Sequence, residues 1–361
     1  MTAPQSSLSA DSPVRVAVAG VGGYAGAELA RLLLRHPRFI ARSPLFLSRA
    51  EATQIPVQGT LADLHPQVAT SQDVEVSTFS WERMEEDGTE FLLLATPHDQ
   101  SRAWVPKAME RGIRVIDLSG AWRLKEAGNQ IAYRFDDADV ELATRLQEEA
   151  VYGSPELHQD AIASARLIAN PGCYATSIIL ALAPLIASGR IDLEHGIVCD
   201  AKSGVSGAGK TPTPGTHFMS AADNLSAYSV FGHRHSGELM EQLHLTEMQI
   251  QFTPHLLPIP RGILSTIYFR LKRPSDAETI LGELREFYRD CPFVRVRKPG
   301  TLPQIQHVIR TNFCDLGLAV DRTGQRVVLV SCLDNLLKGA AGQAIQNLNL
   351  MCGWGEAEGL L

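Results

Sequence analysis

"VRVAVAGVGGYAGAELARLLLRHP", Val14 to Pro37, is the stretch on which the fold turns. Val14 to Gly20 is a short, valine-rich apolar run of the kind that forms a buried strand. From Tyr24 onward apolar residues recur at helical spacing, and Pro37 marks the stop. Between the two lie Gly20, Gly23 and Gly26 in a GxxGxxG spacing, with Gly22 as an extra glycine. A strand that opens through such a turn into a helix lets the backbone approach a pyrophosphate. The helix N-terminus supplies positive potential and free N–H groups. The turn also reads as a tight strand–helix connection without ligand. Gly20, Gly23, Tyr24, Ala25 and Gly26 are the candidate dinucleotide residues.

Working outward, "RSPLFLSRA" is the next strand, and its end should reach the adenosine ribose. Ser48 and Arg49 stand there, a donor and a cation suited to a 2′-phosphate, so the cofactor expected is NADP. Glu51 nearby keeps NAD open, and Arg49 also reads as a plain surface charge. "FLLLATP", "GIRVIDLS" and "RLIANPG" are further buried strands separated by helix-length stretches. That alternation predicts an α/β fold, a Rossmann-type doubly wound parallel sheet over roughly the first 170 residues. The second half carries longer strands, "GIVCDAKSG", "MQIQFTPHLLP", "GILSTIYFRLK" and "LGLAVDRTGQRVVLVSCLD", the last with a hairpin turn near "DRTGQ". An α+β domain with a mixed, largely antiparallel sheet is expected there, followed by the helical "DNLLKGAAGQAIQNLNLM".

"NPGCYATSIILALAPL" places Cys173 directly before a long apolar helix that should stop near Gly189. A thiol at a helix N-terminus is favoured as thiolate, and the NPG turn leaves N–H groups near the sulfur for an oxyanion. An inert packed cysteine suits the other five, Cys199, Cys291, Cys314, Cys332 and Cys352. A thiolate beside a nicotinamide points to attack on an activated acyl carbon with hydride exchange. Such chemistry needs an acid/base, and "FGHRHSGELMEQL" offers His233 and His235 at a helix start. Residues two apart on a helix do not share a face, and His235 is in line with Leu239 and Leu243, the inward side. A one-residue shift of the start reverses that choice. His158, His195, His244 and His307 read as surface or packing residues.

"KSGVSGAGK", with Ser203, Gly204 and Gly207, reads as a loop touching phosphate or nicotinamide, or as a flexible linker; its spacing is not that of a P-loop. Arg261 in "PIPRGIL" and Arg123 in "DLSGAWRLK" suit a substrate carboxylate or phosphate, and each also reads as a solvated charge.

Composition narrows the classes. The 361 residues exceed one typical core, so two domains are expected. The net charge of −7 gives no general case for nucleic acid. No apolar run reaches a membrane span, and "MTAPQSSLSADSP" lacks the parts of a signal peptide and reads as a frayed tail. The six cysteines include no CxxC pair, so neither a disulfide framework nor a metal site is expected, and a reducing cytoplasm fits.

Together "GYAGAEL", "ATPH", "DLSGAWRL", "YGSPE", "NPGCYAT", "SGVSGAGK", "HRHSGE", "FTPHLLPIPRGIL" and "DNLLKGAAGQAIQNLN" run nearly end to end. In them the chain resembles the N-acetyl-gamma-glutamyl-phosphate reductase family, arginine-pathway relatives of aspartate-semialdehyde dehydrogenase. The resemblance implies that Cys173 is the nucleophile, that the HRH segment supplies the catalytic histidine, and that Asn335 joins the cofactor site. It implies NADPH-dependent reduction of N-acetyl-L-glutamyl 5-phosphate to the semialdehyde through a cysteine thioester. The alternative is the same step on a glutamyl or aminoadipyl phosphate held by an amino-group carrier protein. A non-catalytic NADP sensor on this fold would be marked by loss of the cysteine or the HRH pair, and both are present. The terminal helix is expected to pack back on the nucleotide domain, which gives a first domain of 1–172 completed by 334–361 and a catalytic domain of 173–333. The partners expected are a small acyl-phosphate and a second copy, in a dimer or tetramer, with no nucleic acid and no membrane. Two departures stand out: "GVGGYAG" where the family more often has Ala-Ser before Gly-Tyr, and Ser-Gly-Glu after HRH where a proline commonly precedes the glutamate.

Overall fold

The central strand of the first sheet, Val16–Ala19, is buried along its whole length, and its alternate residues build different layers. Val16 and Val18 pack with Leu29, Leu33 and Leu348 on one face. Ala17 and Ala19 pack with Val105, Trp122 and Leu146 on the other. A strand covered on both faces needs no polar alternation, which is why this run reads as continuously apolar. The computed structural model describes residues 14–48, 59–68 and 74–361; the opening tail, Arg49 and Glu51 lie outside the described residues.

Leu45–Ser48 and then Glu75–Thr78 pair in parallel on one side of the central strand, and Gly59–Thr60 adds an antiparallel edge. On the other side come Phe91–Leu94, Arg114–Asp117, Leu167–Ala169 and Val151–Tyr152, all parallel. The order of strands therefore reverses at Val16–Ala19, and the crevice at the ends of the strands there is where such folds bind ligands. Gly20 follows with φ +89, in the left-handed region. A Cβ on it would stand 2.5 Å from the Ala95 carbonyl oxygen. The helix Tyr24–Leu33 then starts at Gly23 with no side-chain cap. It ends ahead of Pro37, which opens a short 3₁₀ turn capped by His36.

The second sheet runs Ser226–Ala227, Ile250–Leu257, Ile197–Gly204, Ile263–Arg270, Arg326–Leu333, Cys314–Val320, Val294–Val296. It is mixed: the second and third strands of that order pair in parallel, as do the last two, and the other pairs are antiparallel. The Cys173–Ala187 helix lies along one face with Ile280, Leu284 and Leu239, and it stops before Gly189 at φ +68. The opposite face presents the exposed Val198 and Tyr268 to solvent.

Chain order and space part company at the C-terminus. After Leu333 the chain makes a π-helical turn, Leu337–Ala341, and the helix Gly342–Met351, whose residues are all buried. Leu337, Ile345, Leu348 and Trp354 enter the same core layer as Val16 and Leu33 of the first sheet. None of the described helices is long and apolar enough to cross a membrane, and the described residues hold no cluster able to ligate a metal.

Candidate active site

The reversal point of the first sheet opens into a cavity of about 1040 Å³, which reaches from the glycine turn to the start of the Cys173 helix. At the first end Gly20, Gly23, Tyr24, Ala25 and Ser48 line it. Gly26 does not: its missing Cβ is the space where the Gly20 carbonyl sits, so it serves the packing of helix on turn. Gly22 and Gly23 have open space or only ordinary contact where a Cβ would be. The Gly23 N–H donates to the Gly20 carbonyl at 3.2 Å, and the helix start at Tyr24, which has no side-chain cap, borders the cavity, a fit for a pyrophosphate. The Ser48 hydroxyl donates to the Ser77 carbonyl at 3.3 Å.

At the other end stand Cys173, His235 and Arg123. The half-buried Cys173 thiol is a partner of N–H groups of the first helical turn, as its place in the sequence implies. Burial pushes the thiol up to about 11, against the pull of the Tyr174 N–H and the Arg123 charge. The expected oxyanion donors of the NPG turn are also committed elsewhere. The Asn170 N–H donates to the Asp117 carbonyl at 2.8 Å, Pro171 has none, and the Gly172 N–H donates to Glu238 Oε2 at 2.9 Å.

Glu238 is the residue that sequence reasoning missed. Fully buried, it accepts from Gly172 N–H, from the Tyr152 hydroxyl at 2.7 Å and from Arg123 Nη1 at 3.1 Å. One carboxylate thereby fixes the cysteine turn, the arginine and the histidine helix. Its signal was available: it follows His235 by three residues and so shares its helical face.

His235 opens the helix His235–Leu243, with Nε2 3.9 Å from Glu238 Oε1. The ring packs where a Gly172 Cβ would be, which brings it to the residue before the cysteine. Its Nδ1 is buried with no hydrogen-bond partner among the described residues. Burial, then the charges of His233, Arg123 and Arg234, hold it well below the usual histidine range. His233 is not on the helix, so helical faces do not separate the pair. Its Nδ1 accepts from the His235 N–H at 3.1 Å, and the two rings meet edge to face with centroids 4.6 Å apart. Burial and the Arg234 charge bring it down to about 4. It does not line the cavity.

The loop after Gly204 contributes Ser206, Gly207 and Lys210 to the wall, and Asn335 closes it, donating to the Ser206 hydroxyl at 2.9 Å. Ser203 and Gly204 lie behind: Ser203 is buried, and Gly204 leaves room for the backbone of Ile259 and Arg261. Arg261 corrects an expectation. Its guanidinium is held by Glu28 at 2.6 Å and by Asp334 at 3.0 Å, two of the chain's own carboxylates, and it does not reach the cavity.

Residues 15–165 match the family model described as "Semialdehyde dehydrogenase, NAD binding domain", and residues 173–335 match "Semialdehyde dehydrogenase, dimerisation domain". Among curated proteins, the N-acetyl-gamma-glutamyl-phosphate reductase of Geobacillus thermodenitrificans is 41% identical over 350 residues, covering 96% of this chain and 98% of that protein. That of Symbiobacterium thermophilum is 42% identical over 352 residues, covering 96% and 97%. Among solved structures, aspartate semialdehyde dehydrogenase II from Vibrio cholerae superposes with a TM-score of 0.69 at 19% identity, over 94% of this chain and 98% of the other, a likeness of fold.

Proposed function

The chain belongs to the N-acetyl-gamma-glutamyl-phosphate reductase family, and from that premise we propose that it reduces N-acetyl-L-glutamyl 5-phosphate to the 5-semialdehyde with NADPH, in arginine biosynthesis. The observation that carries the reading is one shared cavity with an uncapped glycine turn at one end and Cys173 with His235 at the other.

Gly20, Gly23, Tyr24, Ala25, Gly207 and Asn335 would hold NADPH, with Ser48 and the sequence-adjacent Arg49 toward the 2′-phosphate. Bound there, the cofactor supplies the hydride. Cys173 acts on the acyl carbon: the S–C bond forms, the C–O bond to phosphate breaks, and phosphate departs with its electron pair. His235, neutral at pH 7 in its buried setting, takes the thiol proton at attack and returns it to the sulfur as the oxygen of the reduced adduct collapses to the aldehyde carbonyl and the C–S bond breaks. Because burial holds the resting thiol protonated, proton removal is coupled to attack rather than completed beforehand. Arg123, with Glu238 balancing its charge, sits where the phosphate must leave.

We divide the chain into a nucleotide domain of 1–172 with 334–361 and a catalytic domain of 173–333, supported by the core layer that Leu337 to Trp354 share with Val16. The open sheet face at Val198 and Tyr268 is assigned to a second copy, in a dimer or tetramer. A reducing cytoplasm suits six free thiols.

The test is phosphate-dependent reduction of NADP by N-acetylglutamate semialdehyde, run beside NAD and beside the semialdehyde of the carrier-linked substrate. Turnover of the free aldehyde with NADP preferred is the expected result. Turnover of the carrier-linked aldehyde alone moves the substrate to the amino-group carrier protein. Turnover of neither sinks the enzymatic reading.

A further inference from the structure

Three cationic side chains line the cavity among the described residues: Arg123, Lys210 and Arg234. Two of them are occupied. Arg123 spends N–H groups on Glu238, on the Asn170 carbonyl at 2.8 Å and on the Leu118 carbonyl at 2.7 Å. Lys210 donates to the Gly22 carbonyl at 2.9 Å, at the cofactor end. Arg234 has no carboxylate or carbonyl partner among the described residues. It is exposed on the cavity wall directly before His235.

Its setting is nevertheless built. The guanidinium carbon stands 5.5 Å from the centroid of the Tyr133 ring. Tyr133 is buried, stacks on Phe135 at 5.2 Å between centroids, and occupies the space that a Cβ on Gly120 would need. An arginine resting on an immobile ring keeps the edge of its fork free and pre-oriented, a geometry suited to bidentate pairing with a carboxylate.

The two arginines also serve different parts of the cavity. Arg123 donates to the Asn170 carbonyl in the turn before Cys173, and its field reaches both Cys173 and His235, whereas Arg234 rests on Tyr133 and its field reaches the two histidines. The phosphate of an acyl-phosphate substrate is attached to the carbon that Cys173 attacks, so it belongs to the Arg123 side. The anion left for Arg234 is one carried at the far end of the acyl chain.

We propose that Arg234 is a specificity-determining residue that binds the carboxylate at the end of the substrate remote from the reacting carbonyl, selecting N-acylated amino dicarboxylates over acyl phosphates that lack it. This rests on the function proposed above.

The experiment compares wild type with Arg234→Met and Arg234→Lys on N-acetylglutamate semialdehyde and on 4-acetamidobutanal, its analogue without the carboxylate. Arg234→Met should lower kcat/KM for the carboxylate-bearing aldehyde about 10- to 100-fold, the loss of a charge-assisted pair. Turnover of the analogue and the KM for NADP should stay as in wild type, and lysine should restore only part of the loss. Equal losses on both aldehydes, or no loss on the first, overturn the proposal. Binding of N-acetylglutamine, which is not reduced, is titrated in parallel. Its affinity should fall by a similar factor in Arg234→Met, and unchanged affinity also overturns the proposal. If wild type oxidises neither aldehyde, the proposed reaction fails, and the titration decides Arg234 on its own.

Discussion

The two ends of the cavity are made of different material. The glycine end is backbone: the uncapped helix start at Tyr24, and side chains absent at Gly20 and Gly26 so that chain can approach chain. The thiol end is side chain: Cys173 on one helix, His235 and Glu238 on another, Arg123 on the loop after the strand Arg114–Asp117, all meeting through one buried carboxylate. A backbone site is written in adjacent residues. A side-chain site is written in fragments that only the fold brings together.

The largest expected effect breaks the thiol end alone. Cys173→Ser should bring turnover below detection while NADP affinity stays close to wild type, since serine has no thiolate character at neutral pH and the glycine end does not touch it. Substantial residual activity would end the covalent mechanism.

Next comes the histidine pair. His235→Asn should lower kcat roughly 10²–10⁴-fold, the range for a lost proton-transfer group. His233→Asn should act chiefly on KM, because His233 borders His235 and not the cavity. Single-turnover measurements separate them, and the reverse pattern would exchange their roles.

A pH titration sharpens the contrast between a helix-end thiol and a buried one. Burial raises the Cys173 thiol to about 11, so the thiolate fraction in ligand-free protein climbs with pH through the alkaline range. Iodoacetamide should label Cys173 ever faster up to at least pH 10. A plateau already at pH 7–8 would mean that the helix end and Arg123 win over burial.

The smallest effect belongs to the glycine end. Gly26→Ala forces a methyl group onto the Gly20 carbonyl and the Val21 backbone, and should cost about 1–3 kcal/mol of stability. Gly22→Ala meets open space and should change stability by less than about 0.5 kcal/mol. Thermal unfolding of both variants decides whether the turn's glycines divide as the backbone geometry says.

The same division explains what the sequence made legible. The doubly wound sheet was readable because strands buried on both faces, such as Val16–Ala19 and Phe91–Leu94, are plain apolar runs between helical patterns. The glycine turn was readable for the same local reason. Arg261 was misread because the carboxylates that engage it, Glu28 and Asp334, lie 233 and 73 residues away. For the Cys173 thiol the helix end is visible in sequence, and the burial that opposes it is not. Glu238 went unnoticed since its three partners come from separate elements, and only the HSGE spacing hinted at it.

The terminal helix also sets a clock. Residues 337–354 fill the core layer under the first sheet, so that layer cannot be completed until they have left the ribosome. The strands made first must hold an unfinished apolar face through the synthesis of the entire second sheet. A chain released a few dozen residues early would carry its thiol, its histidines and its glycine turn, and still expose the underside of the sheet that supports them.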